Sequence, residues 1–273
     1  MRTKRATCLA VLTVAAAIGA ARAEDPPTER ILLPVYTTEP VAGVNGSSWI
    51  TDFHLSNSGD DTVEVGGISW ECFLPECGNL PAPVEAGVTF RPQVQESGDG
   101  LNGVLLYANA VGASDLDLGL RFRDLSRQAT TWGTELPTPR ESEFRSDRIT
   151  LVDIPVSDDF RRTLRIYEID GTEREAAVLV RIFRLDPNHD QPYGEPDELL
   201  GESEVPLQFA PPFAVPPYHP GYAVIQDLSS IAPLGDAESL RIEIEPASDG
   251  LKLWAFVTVV HNESQHATVI SPQ

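Results

Sequence analysis

Apolar and polar residues alternate along most of this chain. Residues 51–56 read Thr-Asp-Phe-His-Leu-Ser, with Phe53 and Leu55 on one face. In 115–123, Leu116, Leu118, Leu120 and Phe122 point one way and the charged residues the other. Leu240, Ile242 and Ile244 alternate with Arg241, Glu243 and Glu245 in the same manner. A period of two is that of a half-buried strand, because successive side chains leave opposite sides of the pleat. Gly, Pro, Asn and Asp gather between these runs, where the chain must turn. Leu251–Val260 is more apolar and predicts a strand inside a sheet, covered on both faces. Residues 186–222 are rich in Pro, Tyr and His. They predict a long loop interrupted by a short strand at 203–209 and stiffened by Pro211-Pro212 and Pro216-Pro217.

The order of these elements repeats. Arg30-Ile31-Leu32-Leu33-Pro34-Val35 matches the stretch Arg148 to Pro155. Each is followed by an alternating strand, Phe53/Leu55 or Leu164/Ile166, and then by a glycine turn at Gly59 or Gly171. A second strand ends in Trp70 or Phe183. A hairpin built around Ser-Asp comes later in each copy, at Ser114-Asp115 and Ser248-Asp249. We read an all-β chain of two tandem antiparallel, immunoglobulin-like β-sandwich modules. The first spans 29–138 and the second 148–273, with a polar linker at 139–147. One larger sandwich drawing strands from both halves is the rival arrangement.

The N-terminus changes the picture by assigning a compartment. Arg2, Lys4 and Arg5 precede an apolar stretch over residues 8–20, and Ala21-Arg22-Ala23 forms an A-x-A cleavage site. Residues 1–23 therefore predict a secretory signal peptide, too short to span a bilayer, which takes about 20 apolar residues. No later run predicts a membrane span. Export, to the periplasm or beyond the cell, makes a Cys72–Cys77 disulfide the expected state of the two remaining cysteines. Their C-x4-C spacing is not a redox motif, and no further zinc ligands stand nearby.

The chain carries 41 acidic and 20 basic residues, a net charge of −21. That balance excludes a nucleic-acid binder, which needs a basic footprint. Trp49-x-Thr51-Asp52 follows a glycine-rich turn and offers an aromatic-plus-carboxylate ligand platform, with a structural cap as the plainer reading. Tyr218 and Tyr222, at the end of the Pro/Tyr-rich segment, are the other candidate ligand residues. Exposed aromatics beside rigid prolines lose little entropy on binding. Asn57, Asp60 and Asp61 form a turn-borne calcium candidate; no other cofactor is indicated. His261 and His266 are five apart and lack helical metal spacing. No nucleophile–base pairing or carboxylate pair stands in a recognisable motif, so no catalytic residue is assigned.

Gly43-x-x-Gly46-Ser47-x-Trp49-x-Thr51-Asp52, followed by Leu55-x-Asn57-x-Gly59, resembles the opening of a family of secreted bacterial proteins built from paired β-sandwich modules. Phe160-Arg161-x-x-Leu164-x-Ile166 and the closing Trp254 to Asn262 are similar to that family's second module. This chain has Arg162 and Glu168 where Asn is common, and His261 where Asp is. The resemblance implies fold and export and no particular activity. The expected role is an exported, non-catalytic binding, adhesion or cell-envelope protein whose partner is an envelope protein or an extracellular glycan. A metal- or carboxylate-dependent extracellular hydrolase and a purely structural envelope subunit are the alternatives. A free-thiol assay on the folded, non-reduced protein is expected to find neither Cys72 nor Cys77 reactive; two titratable thiols would exclude the disulfide.

Overall fold

The structure is a computed structural model describing residues 28–69, 81–94, 101–127, 132–172, 174–185, 196–209 and 219–272. The expected signal peptide, Cys72, Cys77 and Tyr218 lie outside the described residues. In the first half the strands are β1 (Thr28–Leu33), β2 (Val41–Ala42), β3 (Ser48–Asn57), β4 (Val63–Gly66), β5 (Ile68–Ser69), β6 (Ala82–Val84), β7 (Thr89–Phe90), β8 (Gln93–Val94), β9 (Val104–Asn109), β10 (Leu116–Asp124) and β11 (Thr134–Leu136). The second half has β12 (Ile149–Pro155), β13 (Phe160–Glu168), β14 (Ala177–Arg184), β15 (Glu198–Pro206), β16 (Gly221–Ile225), β17 (Ser239–Pro246), β18 (Leu253–His261) and β19 (Ala267–Ile270). The one described α-helix is a single turn, Ala110–Ala113, capped by the Asn109 side chain.

All named strand pairs are antiparallel. Sheet I has the order β1-β9-β4-β6, and sheet II runs β11-β10-β3-β2 with β7 also on β3. Sheet III is β12-β17-β14-β15, and sheet IV is β16-β13-β18-β19. With the short β2, β5 and β8 set aside, the strand order of sheets I and II recurs in sheets III and IV. One buried cluster joins the facing apolar sides of sheets I and II, including Ile31, Leu33, Phe53, Leu55, Val65 and Leu120. A second joins sheets III and IV through Leu151, Leu164, Ile166, Val180, Ile242 and Val257.

The two halves are not separated by water. On β13 the even positions Leu164 and Ile166 enter the second core. Tyr167 turns the other way and joins the first-half core with Trp254 and Phe256 of β18. Tyr167 and Phe256 stack with centroids 6.3 Å apart and planes at 10°. Trp254 and Phe256 lie 5.3 Å apart. Withdrawing each such ring from water contributes on the order of 3 kcal/mol. The Tyr167 hydroxyl donates to the Pro34 carbonyl at 2.5 Å across the junction. Gly103 has φ +96°, and a Cβ there would lie 2.9 Å from both Pro220 and Tyr167 and 3.2 Å from Leu32.

The 139–147 connection is a docked strap rather than a free tether. The Leu32 amide donates to the Pro139 carbonyl at 2.9 Å, and Arg145 and Leu253 exchange both backbone hydrogen bonds at 2.8 Å. Arg30 reaches from β1 to Glu141 at 2.6 Å and to Asp170 at 3.0 Å. The expected 203–209 strand is instead Glu198–Pro206. It pairs with β14 along its length, with a bulge at Ile182/Phe183. Its exposed Glu198 and Glu202 read as loop in the sequence but are tolerated at a sheet edge. Gly103→Ala is expected to lower stability by about 3 kcal/mol, through strain at positive φ plus overpacking. A thermal melt would then shift down by roughly 5–10 °C; an unchanged melt would show that the junction is loosely packed.

Candidate functional site

The outer face of sheet IV is dry at one end and open at the other. Its register pairs Tyr167 with Trp254, Arg165 with Phe256, Thr163 with Thr258 and Arg161 with Val260. Cover by the first-half core reaches Tyr167, Trp254 and Phe256. Beyond them the same face lines a cavity of about 550 Å³ between the halves. Thr163, Thr258, Val260, Arg161 and Arg165 form its second-half wall. Val35, Val41, Trp49, Thr51, Phe122 and Leu136 form the wall opposite.

The Gly43–Trp49 segment builds that opposite wall. Ser47 donates its amide to the Val44 carbonyl at 3.1 Å, and the Gly43 amide donates to the Ser47 carbonyl at 2.9 Å, closing a tight turn. Asn45 and Gly46 adopt φ 56° and 71° inside it. The Ser47 hydroxyl accepts from the Trp49 indole at 2.9 Å and donates to the Val44 carbonyl at 2.7 Å. A Cβ on Gly43 would lie 2.4 Å from that hydroxyl and 2.7 Å from the indole nitrogen. The glycine thus makes room for the indole, which lies 5.2 Å from the Phe122 ring. Thr51 fixes the neighbouring chain: its hydroxyl accepts from the Thr37 amide and donates to the Thr37 carbonyl, both at 2.8 Å.

Asp124 anchors the start of β3. Its side chain is buried and accepts from the Ser48 amide at 2.8 Å, the Ser126 amide at 3.0 Å and the Ser126 hydroxyl at 2.7 Å. Arg127 donates to it at 3.2 Å. Burial disfavours the carboxylate, yet these hydrogen bonds together outweigh it and hold the pKa below its ordinary value.

Charge in the cavity runs against the charge of the chain. Arg161 donates to the amide oxygens of Asn262 at 2.8 Å and Gln265 at 2.6 Å. Arg165 donates to the Leu101 carbonyl at 2.6 Å. Neither is ion-paired among the described residues, whereas Arg30, Arg140, Arg148, Arg181, Arg184 and Arg241 all are. Burial, with the nearby Arg127 charge, draws the Arg161 guanidinium below its ordinary pKa. Arg162 also borders the cavity, but its guanidinium bonds the Pro155 carbonyl at 2.9 Å on the other side of the strand. Asp227 is the single carboxylate among the described lining residues, and it caps its own turn through the Ser229 amide at 2.9 Å.

No family model, curated protein or solved structure matches this chain. The site therefore rests on its own geometry. Trp49 lines the cavity, but Asp52 does not share its face: positions 49, 51, 53 and 55 of β3 point inward and Asp52 points outward, to Arg123 at 3.2 Å. Tyr222 lies on β16 opposite Tyr167 and packs against the first-half core. Asn57 commits its side chain to the backbone, donating to the Asp61 and Val84 carbonyls at 2.7 and 2.8 Å and accepting from the Gly59 amide at 3.0 Å. Asp60 and Asp61 are exposed, and no group of three potential metal ligands forms among the described residues. His261 and His266 lie in the β18–β19 hairpin turn, where His261 Nδ1 accepts from the Glu263 and Ser264 amides.

Arg161 and Arg165 were missed as site residues. Their signal is an alternating strand whose non-core face mixes Arg, Thr and Tyr instead of the acids of the other strands.

Asp124 yields a pH prediction. Its depressed pKa means that its stabilisation is complete above the unfolded carboxyl range near pH 4 and is lost as pH falls through the lower folded value. Asp124→Asn is expected to lose about 2 kcal/mol at neutral pH. It should also show a shallower decline in stability below pH 4 than the parent, measured by denaturant melts across pH. Parallel declines would remove the assigned role.

Proposed function

We propose that this chain is an exported, non-catalytic binding protein of two tandem immunoglobulin-like β-sandwich modules, whose ligand site is the cavity at their junction. The observation that carries the reading is the cavity itself. Its volume of about 550 Å³ falls within the range of small-molecule sites, and its walls combine apolar and aromatic side chains with threonines and arginines. The repeated strand order and the two internal cores support the tandem arrangement. The signal-like N-terminus and the resemblance to paired-sandwich secreted proteins support export. A small molecule from the envelope or its surroundings is the expected class of occupant. A carboxylate-pair hydrolase finds less support, since Asp227 is the single acid among the described lining residues.

The test is native mass spectrometry of residues 24–273 against a panel of neutral sugars, uronic acids, and aromatic and aliphatic carboxylates. One class is expected to form a one-to-one adduct. Val260→Trp, which fills the cavity from β18, should abolish that adduct without lowering the melting temperature. An empty panel, or adducts indifferent to Val260→Trp, would overturn the assignment of the site; cleaved panel compounds would replace binding with hydrolysis.

A further inference from the structure

We infer that the junction cavity selects a small organic anion, with its acid group at Arg161 and Arg165 and its apolar body against Trp49 and Phe122. This rests on the reading of the cavity as the binding site and adds the chemistry of what enters it.

Three observations converge. The first is charge. In a chain with net charge −21, the described cavity lining carries Arg161 and Arg165, with Arg162 bordering it from the other side of the strand, against Asp227 alone. A partly enclosed cleft of one sign focuses its field and concentrates ions of the opposite sign, even where the remaining surface repels them.

The second is how Arg161 is held. Its two terminal nitrogens are oriented by Asn262 and Gln265, which are neutral amides. A guanidinium has five N–H donors in a planar fork. Two are used here among the described residues, which leaves three donors and the whole positive charge. Gln265 is itself buried with φ 56°. It donates to the Asn262 carbonyl at 2.6 Å, so the hairpin turn that positions Arg161 is fixed by its own hydrogen bonds. Arg165 is oriented in the same spirit by a carbonyl, that of Leu101.

The third is the wall opposite. Trp49 and Phe122 form an aromatic pair whose only described hydrogen-bonding group, the indole N–H, is already satisfied by Ser47. That wall suits an apolar or planar body and gives no reason for a polar one. A cation faces one side and an aromatic pair the other, as an amphiphilic acid requires. A carboxylate, sulfonate or sulfate would each meet the guanidinium fork.

The experiment uses two probes that share one aromatic body, anilinonaphthalenesulfonate and the uncharged phenylnaphthylamine. Each is titrated into residues 24–273 and followed by fluorescence, with decanoate and decanol as competitors. The anionic probe is expected to bind at one site at least tenfold more tightly than the neutral one, and decanoate to displace it better than decanol. Arg161→Gln and Arg165→Gln should each weaken the anionic probe about tenfold or more and leave the neutral one unchanged, as expected for charge-assisted hydrogen bonds. Equal affinity for both probes, with both lost in Val260→Trp, would overturn the anion inference and leave the cavity as the binding site. Anion binding indifferent to both arginine substitutions would also overturn it, since the anion would then sit elsewhere. Binding of neither probe would count against the inference and the site together. Thermal melts of each variant identify any loss that comes from unfolding.

Discussion

A sheet with apolar residues on both faces has to be covered twice, and sheet IV is such a sheet. Leu164, Ile166, Ala255 and Val257 supply its inner face, while Tyr167, Trp254 and Phe256 supply its outer one. Sheet III covers only the inner face. The outer one falls to the first half, and much of the remaining architecture follows from that requirement. Leu32 and Gly103 must come close to Tyr167, which leaves no space for a side chain at position 103. The 139–147 strap has to run along the seam, and it uses its backbone to pair with both sides. Polar groups rim the contact: Arg30 bonds Glu141, Asp170 and the Ile169 carbonyl, and holds the Glu141 carboxyl below its ordinary range. Glu168 is buried at the same edge, where desolvation pushes its carboxyl up despite Arg174 at 2.8 Å.

Much of the fold was legible because it is written locally. Phe53/Leu55, Leu116 to Phe122 and Leu240 to Ile244 all became strands, since period-two patterning and burial are the same fact seen twice. The recurrence of element order was visible for the same reason. The strap and β15 were less legible. Glu198 and Glu202 look like loop residues until an edge position gives their side chains to solvent. The site was hardest to read, because its walls come from segments more than a hundred residues apart. Trp49 could be singled out as an aromatic beside a glycine turn. Nothing near it in the chain announces Arg161 or Thr258. The opposite facing of Trp49 and Asp52, by contrast, was available from the strand period alone.

The two halves use one strand order for different ends. The outer face of sheet II carries Asp52, His54, Arg121 and Arg123, which are polar; Arg123 pairs with Asp52 and Arg121 with Glu135. Such exposed pairs add little to stability and suit a solvated surface. The outer face of sheet IV instead carries Arg165, Tyr167, Trp254 and Phe256. One copy of the pattern thus keeps a wet face, and the other turns its equivalent face toward its neighbour. That asymmetry packs the two occurrences of the strand order against each other.

The cavity marks the place where this conversion stops. From Tyr167 to Arg161 the face passes from an aromatic through Arg165 and Thr163 to a second arginine, along one strand. A face meant only for packing would carry apolar residues to its end, and one meant only for water would carry the acids that dominate this chain. The arginines fit neither demand. Their partners matter more than their number. Asn262, Gln265 and the Leu101 carbonyl fix the guanidinium groups in place without neutralising them. Elsewhere the described arginines are mostly spent on carboxylates, in a protein with an excess of acids to offer. Keeping Arg161 oriented and unneutralised inside a partly desolvated cleft has an electrostatic cost, in line with its lowered pKa. A negatively charged group entering the cleft removes that cost, and no described group of the chain does so.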